Sequence, residues 1–208
     1  MKEWIEPDQT GEQIVLAKKT VFKTPNDTRK GVFFIQKGLI RLSRLNEHGK
    51  AFTVGLLGPG AVFGETCEMA LGARAVYIEA MQKTILTHWS ANRMEELLQA
   101  CPPSLKEVMY QLSKRLGEQE ERMEKLALDS VRERVLHLLV QLCRRFGEVE
   151  EPFWKLTLSL SHQEIANMVG ATRETVSLAL ASLVEEGIVL VSRMSIAVHA
   201  SRMVAGKC

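Results

Sequence analysis

The 208-residue chain has no marked excess of either charge: 27 Lys and Arg face 25 Asp and Glu, a net +2. This excludes a polybasic coat that binds nucleic acid or lipid by bulk electrostatics, while leaving room for a few placed contacts. The balance is also local, with 10 basic and 10 acidic groups over residues 101–160 and 4 of each over 161–208. No apolar run approaches the ~20 residues of a membrane helix. The opening MKEWIEPDQT lacks the apolar centre of a secretory signal. No membrane partner is expected, and the expected location is the cytoplasm. Cys67, Cys101, Cys143 and Cys208 form no C-x-x-C pair, which leaves free thiols, two or three of them packed. Paired carboxylates, a nucleophile with its base, and metal-ligand spacing are missing too. The chain is therefore read as not an enzyme, a catalytic barrel being the remote alternative.

What is present is a soluble globular composition, 46% hydrophobic and 25% charged. From about residue 14 to 89, short β-prone runs (TVF, VFFIQ, LIRLSRL, AFTVGLL, AVYIEAM) are separated by Gly, Asn, Asp and Pro. That rhythm predicts an antiparallel sandwich or barrel rather than a parallel βαβ unit. Ser90 caps a short helix that ends at Pro102-Pro103.

After the prolines a charged stretch runs to about Asp129. Within it Met109, Leu112, Leu116, Gln119, Met123 and Leu126 follow 3-4-3-4-3 spacing, an a/d seam over nearly three heptads. The stripe is narrow and flanked by charge, which favours a homodimer seam over one amphipathic helix lying on the barrel. Gln119, a polar side chain inside the seam, points to register setting or to a ligand nearby. A further helix is expected from Ser130 to Phe146 with Val131, Val135, Leu138, Leu139 and Leu142 inward. Gly147 ends it, and a GEVEEP loop is expected to follow.

The clearest signal lies in Ser161-His-Gln-Glu-Ile-Ala-Asn-Met-Val-Gly170-Ala-Thr172-Arg-Glu-Thr-Val. Ser161 and Glu164 form an S-x-x-E capping box, so a helix starts at His162. Ile165 and Val169 face inward, and Gly170 stops the helix through a left-handed residue. Thr172 caps a second helix whose inner face is Val176, Leu180 and Leu183. Two short helices joined by a Gly-containing turn make a helix-turn-helix, whose second helix reads the major groove of double-stranded DNA. Arg173 and Glu174 then stand in its first turn with Ser177 one turn on. Arg donates bidentately to guanine, and Glu accepts from cytosine N4. Read singly, Arg173 and Glu174 favour a solvent-facing ion pair on an ordinary helix; the caps, the turn and the buried pattern together favour DNA reading. Ser161, His162, Thr172 and Thr175 are candidate phosphate donors near the helix starts. The hairpin over residues 187–199 is a wing with Arg193 at its tip, where it meets a phosphate.

From about residue 14 to 200 the chain resembles the cyclic-AMP receptor protein and FNR family of bacterial transcription regulators, in the order of its parts and in the helix-turn-helix string above. KGLIRLSRLNEHGKAFTVGLLGPGAVFGE, with Leu142-Cys143-Arg144 and Phe146-Gly147, resembles the family's nitrogen-control branch, which responds to 2-oxoglutarate. The resemblance implies that the barrel is a sensor. Phe63-Gly64-Glu65, eight residues, then Arg74-Ala75 matches the family's phosphate-binding cassette for cyclic nucleotides. Glu65 then accepts from the ribose 2′-hydroxyl, Arg74 pairs with the cyclic phosphate, and backbone N–H groups near Gly64 and Ala75 complete an anion nest. The structural alternative is a Glu65–Arg74 salt bridge in an empty barrel.

Departures are visible too. The adjacent hydroxyl residues that grip adenine in the bacterial receptor fall at Gln119 and Glu120, although Gln119 still offers hydrogen bonds to a base. Glu65 repels a dicarboxylate, which favours cyclic AMP or another cyclic nucleotide over 2-oxoglutarate. The oxygen-sensing branch's N-terminal cysteine cluster is missing, and His48 and His88 are isolated, so no haem is expected. The receptor's second recognition-helix arginine is here Leu178, so the half-site differs at that position.

The reading is an α+β fold with three parts: an N-terminal antiparallel β-barrel (double-stranded β-helix or jelly roll) over 1–101, a long dimerisation helix over 102–129, and a C-terminal winged helix-turn-helix over 130–208. Its function is that of an effector-controlled homodimer on a pseudo-palindromic operator, with RNA polymerase as a further partner. A ligand-independent regulator with a vestigial barrel is the other alternative.

Overall fold

The computed structural model describes residues 11–27, 31–66, 71–72, 74–100, 102–192 and 195–204. The chain divides into two compact units, Met1–Gln119 and Glu120–Cys208. The boundary falls inside one continuous helix rather than at either of its ends.

The first unit is built from eight strands: β1 (Glu12–Leu16), β2 (Val21–Lys23), β3 (Gly31–Lys37), β4 (Ile40–Leu45), β5 (Ala51–Leu57), β6 (Val62–Glu65), β7 (Tyr77–Ala80) and β8 (Thr84–Trp89). They hydrogen-bond as two four-stranded antiparallel sheets, in the orders β1-β8-β3-β6 and β2-β7-β4-β5. Except for β4 and β5, which pair within one sheet, consecutive strands alternate between sheets, the jelly-roll arrangement expected from the sequence. The sheets share one core, in which Phe33, Ile35, Phe63 and Leu86 of one meet Phe22, Ile40, Leu42 and Ile78 of the other. Alternating apolar residues make this possible, because successive side chains of a strand leave on opposite faces. The alternation in β4 holds for Ile40 and Leu42 and stops there. Opposite it β5 slips by one residue, Leu42 pairing with Gly55 and Ser43 with Thr53. That bulge at Val54 bends the ribbon away from the core, and Leu45 ends 46% exposed.

Among the described residues two helices complete the unit. Ser90 Oγ accepts from the Arg93 N–H at the start of α1 (Ala91–Ala100), and α2 spans Pro102–Leu128. Met94 and Leu98 of α1 and Val108 of α2 bury against Val32, Val62 and Leu71 in a second core cluster.

The second unit takes the end of α2 and continues with α3 (Val131–Phe146), β9 (Gly147–Glu150), β10 (Phe153–Leu156), α4 (His162–Val169), α5 (Arg173–Glu185), β11 (Val189–Ser192), β12 (Ser195–His199) and the short α6 (Ser201–Val204). Ser130 opens α3 with a full capping box to Glu133. Its buried face is Val135, Leu139, Val140, Leu142 and Cys143, with Val131 and Leu138 only half-buried. The segment expected as a GEVEEP loop is instead a hairpin: β9 pairs antiparallel with β10, and β10 with β12. The sheet runs β11-β12-β10-β9. Pairing with strands already in place overrides the weak strand propensity of an acidic, glycine-led segment.

Candidate effector and DNA-binding sites

Phe63 and Gly64 are buried in β6, and Glu65 ends that strand. Gly64 has φ 133°, and a Cβ there would stand 2.2 Å from the Gly31 carbonyl oxygen, so this position admits glycine alone. Glu65 does not pair with Arg74. Its Oε1 lies 3.3 Å from Nζ of Lys23, a lysine only 5% exposed on the opposite sheet. Arg74 is exposed, and Ala75 after it adopts a left-handed φ of 54°. A non-glycine residue in that region costs energy, and alternating right- and left-handed residues point successive N–H groups into one concavity. The residues between Thr66 and Leu71, and Ala73, lie outside the described set.

Sequence reasoning missed Lys23, and also two side chains of α2 that bind this region. Gln111 accepts from the Val62 N–H at 3.2 Å and donates to the Gly60 carbonyl at 3.0 Å. Arg115 donates to the Leu71 carbonyl at 3.2 Å and to that of Val62. Burial lowers the Arg115 pKa from its ordinary value, with Glu118 opposing. Gln119 continues this row at four-residue spacing, and its Nε2 donates to the Val54 carbonyl at 3.2 Å, at the β5 bulge. Its polarity therefore has a local partner. The row 111, 115, 119 is the only trace of this arrangement in the sequence. Beside it run Met109, Leu112, Leu116, Met123 and Leu126, which are 60%, 37%, 62%, 62% and 37% exposed.

In the second unit the helix-turn-helix is assembled by its caps. Ser161 Oγ accepts from the Glu164 N–H while the Glu164 carboxylate accepts from the Ser161 N–H, both halves of the capping box. Gly170 is left-handed, φ 69° and ψ 39°, and its N–H meets the Ala166 carbonyl. Thr172 Oγ1 accepts from the Thr175 N–H at 3.2 Å and lies 2.9 Å from the Thr175 hydroxyl. Val176, Ala179, Leu180 and Leu183 are buried, which turns Arg173 and Glu174 outward to solvent. A bond from its own N–H, then one from Thr172, hold the Glu174 carboxyl below its ordinary pKa. It is an acceptor at neutral pH.

Two of the expected phosphate donors, Ser161 and His162, have partners within the protein. The Ser161 hydroxyl proton goes to Glu164 Oε2 at 2.8 Å. Ser177 Oγ donates to the Arg173 carbonyl at 2.9 Å, so at its 2.8 Å contact with His162 the Nδ1 must be the donor. Only Nε2 of His162 is then left, an acceptor while the ring is neutral. Arg193 lies outside the described residues.

Other candidates from the sequence find local roles. Cys143 is buried, its Sγ meets the Trp154 carbonyl, and burial pushes its thiol up to about 11. Cys67, Cys101 and Cys208 lie outside the described residues. His88 stacks on Phe33 with centroids 4.8 Å apart, and His48 sits in the exposed β4–β5 turn. Among the described residues no three His, Cys, Asp or Glu side chains group as metal ligands, and no helix is long and apolar enough to cross a membrane.

Comparison with known proteins decides the kinship. Residues 13–101 match the cyclic nucleotide-binding domain, and residues 133–201 match the Crp-like helix-turn-helix domain. The global nitrogen regulator of Synechocystis is 34% identical over 184 residues, which cover 87% of this chain and 81% of that one. The chain belongs to the cyclic-AMP receptor protein/FNR family. The cyclic AMP receptor protein of Thermus thermophilus is 28% identical over 78% of this chain and 72% of its own length. A solved CRP/FNR-family transcriptional regulator from the same organism is 27% identical with a TM-score of 0.74, covering 92% of this chain and 96% of that one. As a member of this CRP/FNR family the protein is a DNA-binding transcription regulator. The order of β-barrel, long helix and winged helix-turn-helix is the family fold.

Proposed function

We propose that the protein is a cytoplasmic homodimer, without catalytic activity, that recognises a pseudo-palindromic operator and is controlled by a cyclic nucleotide bound at the cassette, with RNA polymerase as its further partner at promoters. The observation that carries the DNA half is the outward pair Arg173 and Glu174, placed in the first turn of α5 by the Thr172 cap. Two α5 helices in one dimer reach successive major grooves about 34 Å apart. The α2 stripe of Met109, Leu112, Leu116, Met123 and Leu126 supplies the seam that doubles them; over 102–129 this helix acts as the dimer helix between a sensing part (1–101) and a reading part (130–208). The left-handed Ala75 beside exposed Arg74 supports the cassette reading, since together they offer N–H groups and a guanidinium to a phosphate. Glu65 serves the ribose hydroxyl, and Gln119 stands where the base is reached from α2.

One observation favours a second effector. Lys23 neutralises Glu65, which removes the repulsion that argued against 2-oxoglutarate, and the similarity to a global nitrogen regulator points the same way. Calorimetry with cyclic AMP, cyclic GMP and 2-oxoglutarate separates the readings. Heat with a nucleotide that disappears in Arg74→Ala supports the cassette. Heat with 2-oxoglutarate alone transfers control to the dicarboxylate, and no heat with any of the three leaves a ligand-independent regulator.

A further inference from the structure

The outward face of α5 carries Arg173, Glu174 and half-buried Ser177, and next to Ser177 stands Leu178. Leu178 is 73% exposed, between the buried Val176 on one side and Ala179 and Leu180 on the other. A lone exposed leucine elsewhere on a protein surface carries no message. This one occupies the centre of a face otherwise set out for base edges, one turn and a residue beyond Arg173. It has neither donor nor acceptor, so it cannot satisfy guanine O6 and N7 or cytosine N4, and covering those groups leaves them unpaired. The one apolar group on a major-groove edge is the thymine 5-methyl.

We propose that Leu178 is a specificity residue that packs on a thymine methyl in each half-site. This rests on the assignment of α5 as the reading helix. Five residues span about 7.5 Å along a helix, the length of about two base-pair steps, so the thymine lies within about two base pairs of the G·C pair read by Arg173. Ser177, fixed by its bonds to the Arg173 carbonyl and to His162, flanks Leu178 and holds the first turn and a half of α5 as a rigid frame.

The test starts with operator selection from a randomised duplex pool by the full-length protein, followed by replacement of each thymine in the selected site by deoxyuridine, which removes only the methyl. One thymine per half-site is expected to weaken binding about four-fold on replacement, the worth of one buried methyl, and about fifteen-fold when both half-sites are changed. Leu178→Ala should abolish that sensitivity at the same position, and Leu178→Arg should select guanine there instead. Leu178 is exposed, so neither variant disturbs the core. Indifference of the unaltered protein to uracil at every position overturns the proposal, as does Leu178→Ala that keeps the sensitivity. Arg173→Ala separates the two assignments: it should relax a G·C position and leave the thymine effect in place. If no sequence is enriched by the unaltered protein, alone or with cyclic AMP, cyclic GMP or 2-oxoglutarate added, the assignment of α5 as the reading helix fails and the proposal falls with it.

Discussion

Lys23 and Glu65 form an ion pair at 3.3 Å that joins β2 of one sheet to β6 of the other. The lysine is almost fully buried and the carboxylate is mostly so. Removing one partner leaves the other charged in a place that water scarcely reaches. Glu65→Gln should therefore destabilise the first unit by about 2 kcal/mol, the worth of a charge-assisted hydrogen bond. Lys23→Met combined with Glu65→Gln should cost less than Glu65→Gln alone, because the buried ammonium that has lost its carboxylate is removed as well. Urea unfolding of the three forms measures both, and equal losses in the single and double variants would refute the pairing.

The seam on α2 gives a second expectation. Leu116 is 62% exposed in the single chain, so Leu116→Glu leaves each chain folded and puts two like charges into the proposed dimer contact. Sedimentation should show monomers for the variant and dimers for the unaltered protein. Affinity for a two-half-site operator should fall at the same time, while far-UV circular dichroism stays unchanged.

Ser161 separates structural from DNA-binding work. Its proton and its acceptor site are both engaged with Glu164, so its contribution is to the fold. Ser161→Ala should cost the second unit about 1 kcal/mol, as loss of a helix cap does. The slope of log affinity against log salt, which counts neutralised phosphates, should not change. A shallower slope would mean that Ser161 abandons its cap to meet the DNA backbone.

His137 on α3 makes the second unit sensitive to acid. Burial lowers its pKa from the ordinary 6.5, and Lys125 adds to this; Glu121 and Asp129 act in the opposite sense, and Arg144 lowers it further. The folded state thus prefers the neutral ring. Its contribution is complete above pH 6.5 and declines as the pH falls below that value, where the unfolded chain takes up protons first. Unfolding midpoints at about pH 7.5 and about pH 5.5, on either side of the ordinary histidine value, should differ more for the unaltered protein than for His137→Gln. An equal difference would remove His137 as the cause.

The parts legible in the sequence are those whose physics is local. The capping boxes at Ser130 and Ser161, the left-handed Gly170 and the Thr172 cap each act within four residues, and their spacing is readable without a fold. Lys23 and Glu65 are 42 residues apart, and only the packing of two sheets brings them together. Val149 in β9 is 57% exposed and surrounded by acids, so nothing local marks a strand; β10 and β12 impose one. Gln119 was legible as an inconsistency in an apolar stripe, but its partner at Val54 depends on a bulge that alternation alone does not reveal. The same holds for Gln111 and Arg115, whose partners are backbone atoms and leave no signature in composition.

The backbone of Leu71 is held from two sides. Its N–H donates to the Gly64 carbonyl and its carbonyl accepts from the Arg115 guanidinium, so this residue is fastened at once to a strand and to α2. Arg115 lies one residue before Leu116 of the exposed stripe. The anchor of Leu71 and the first half of the exposed stripe are thus neighbours on one helix.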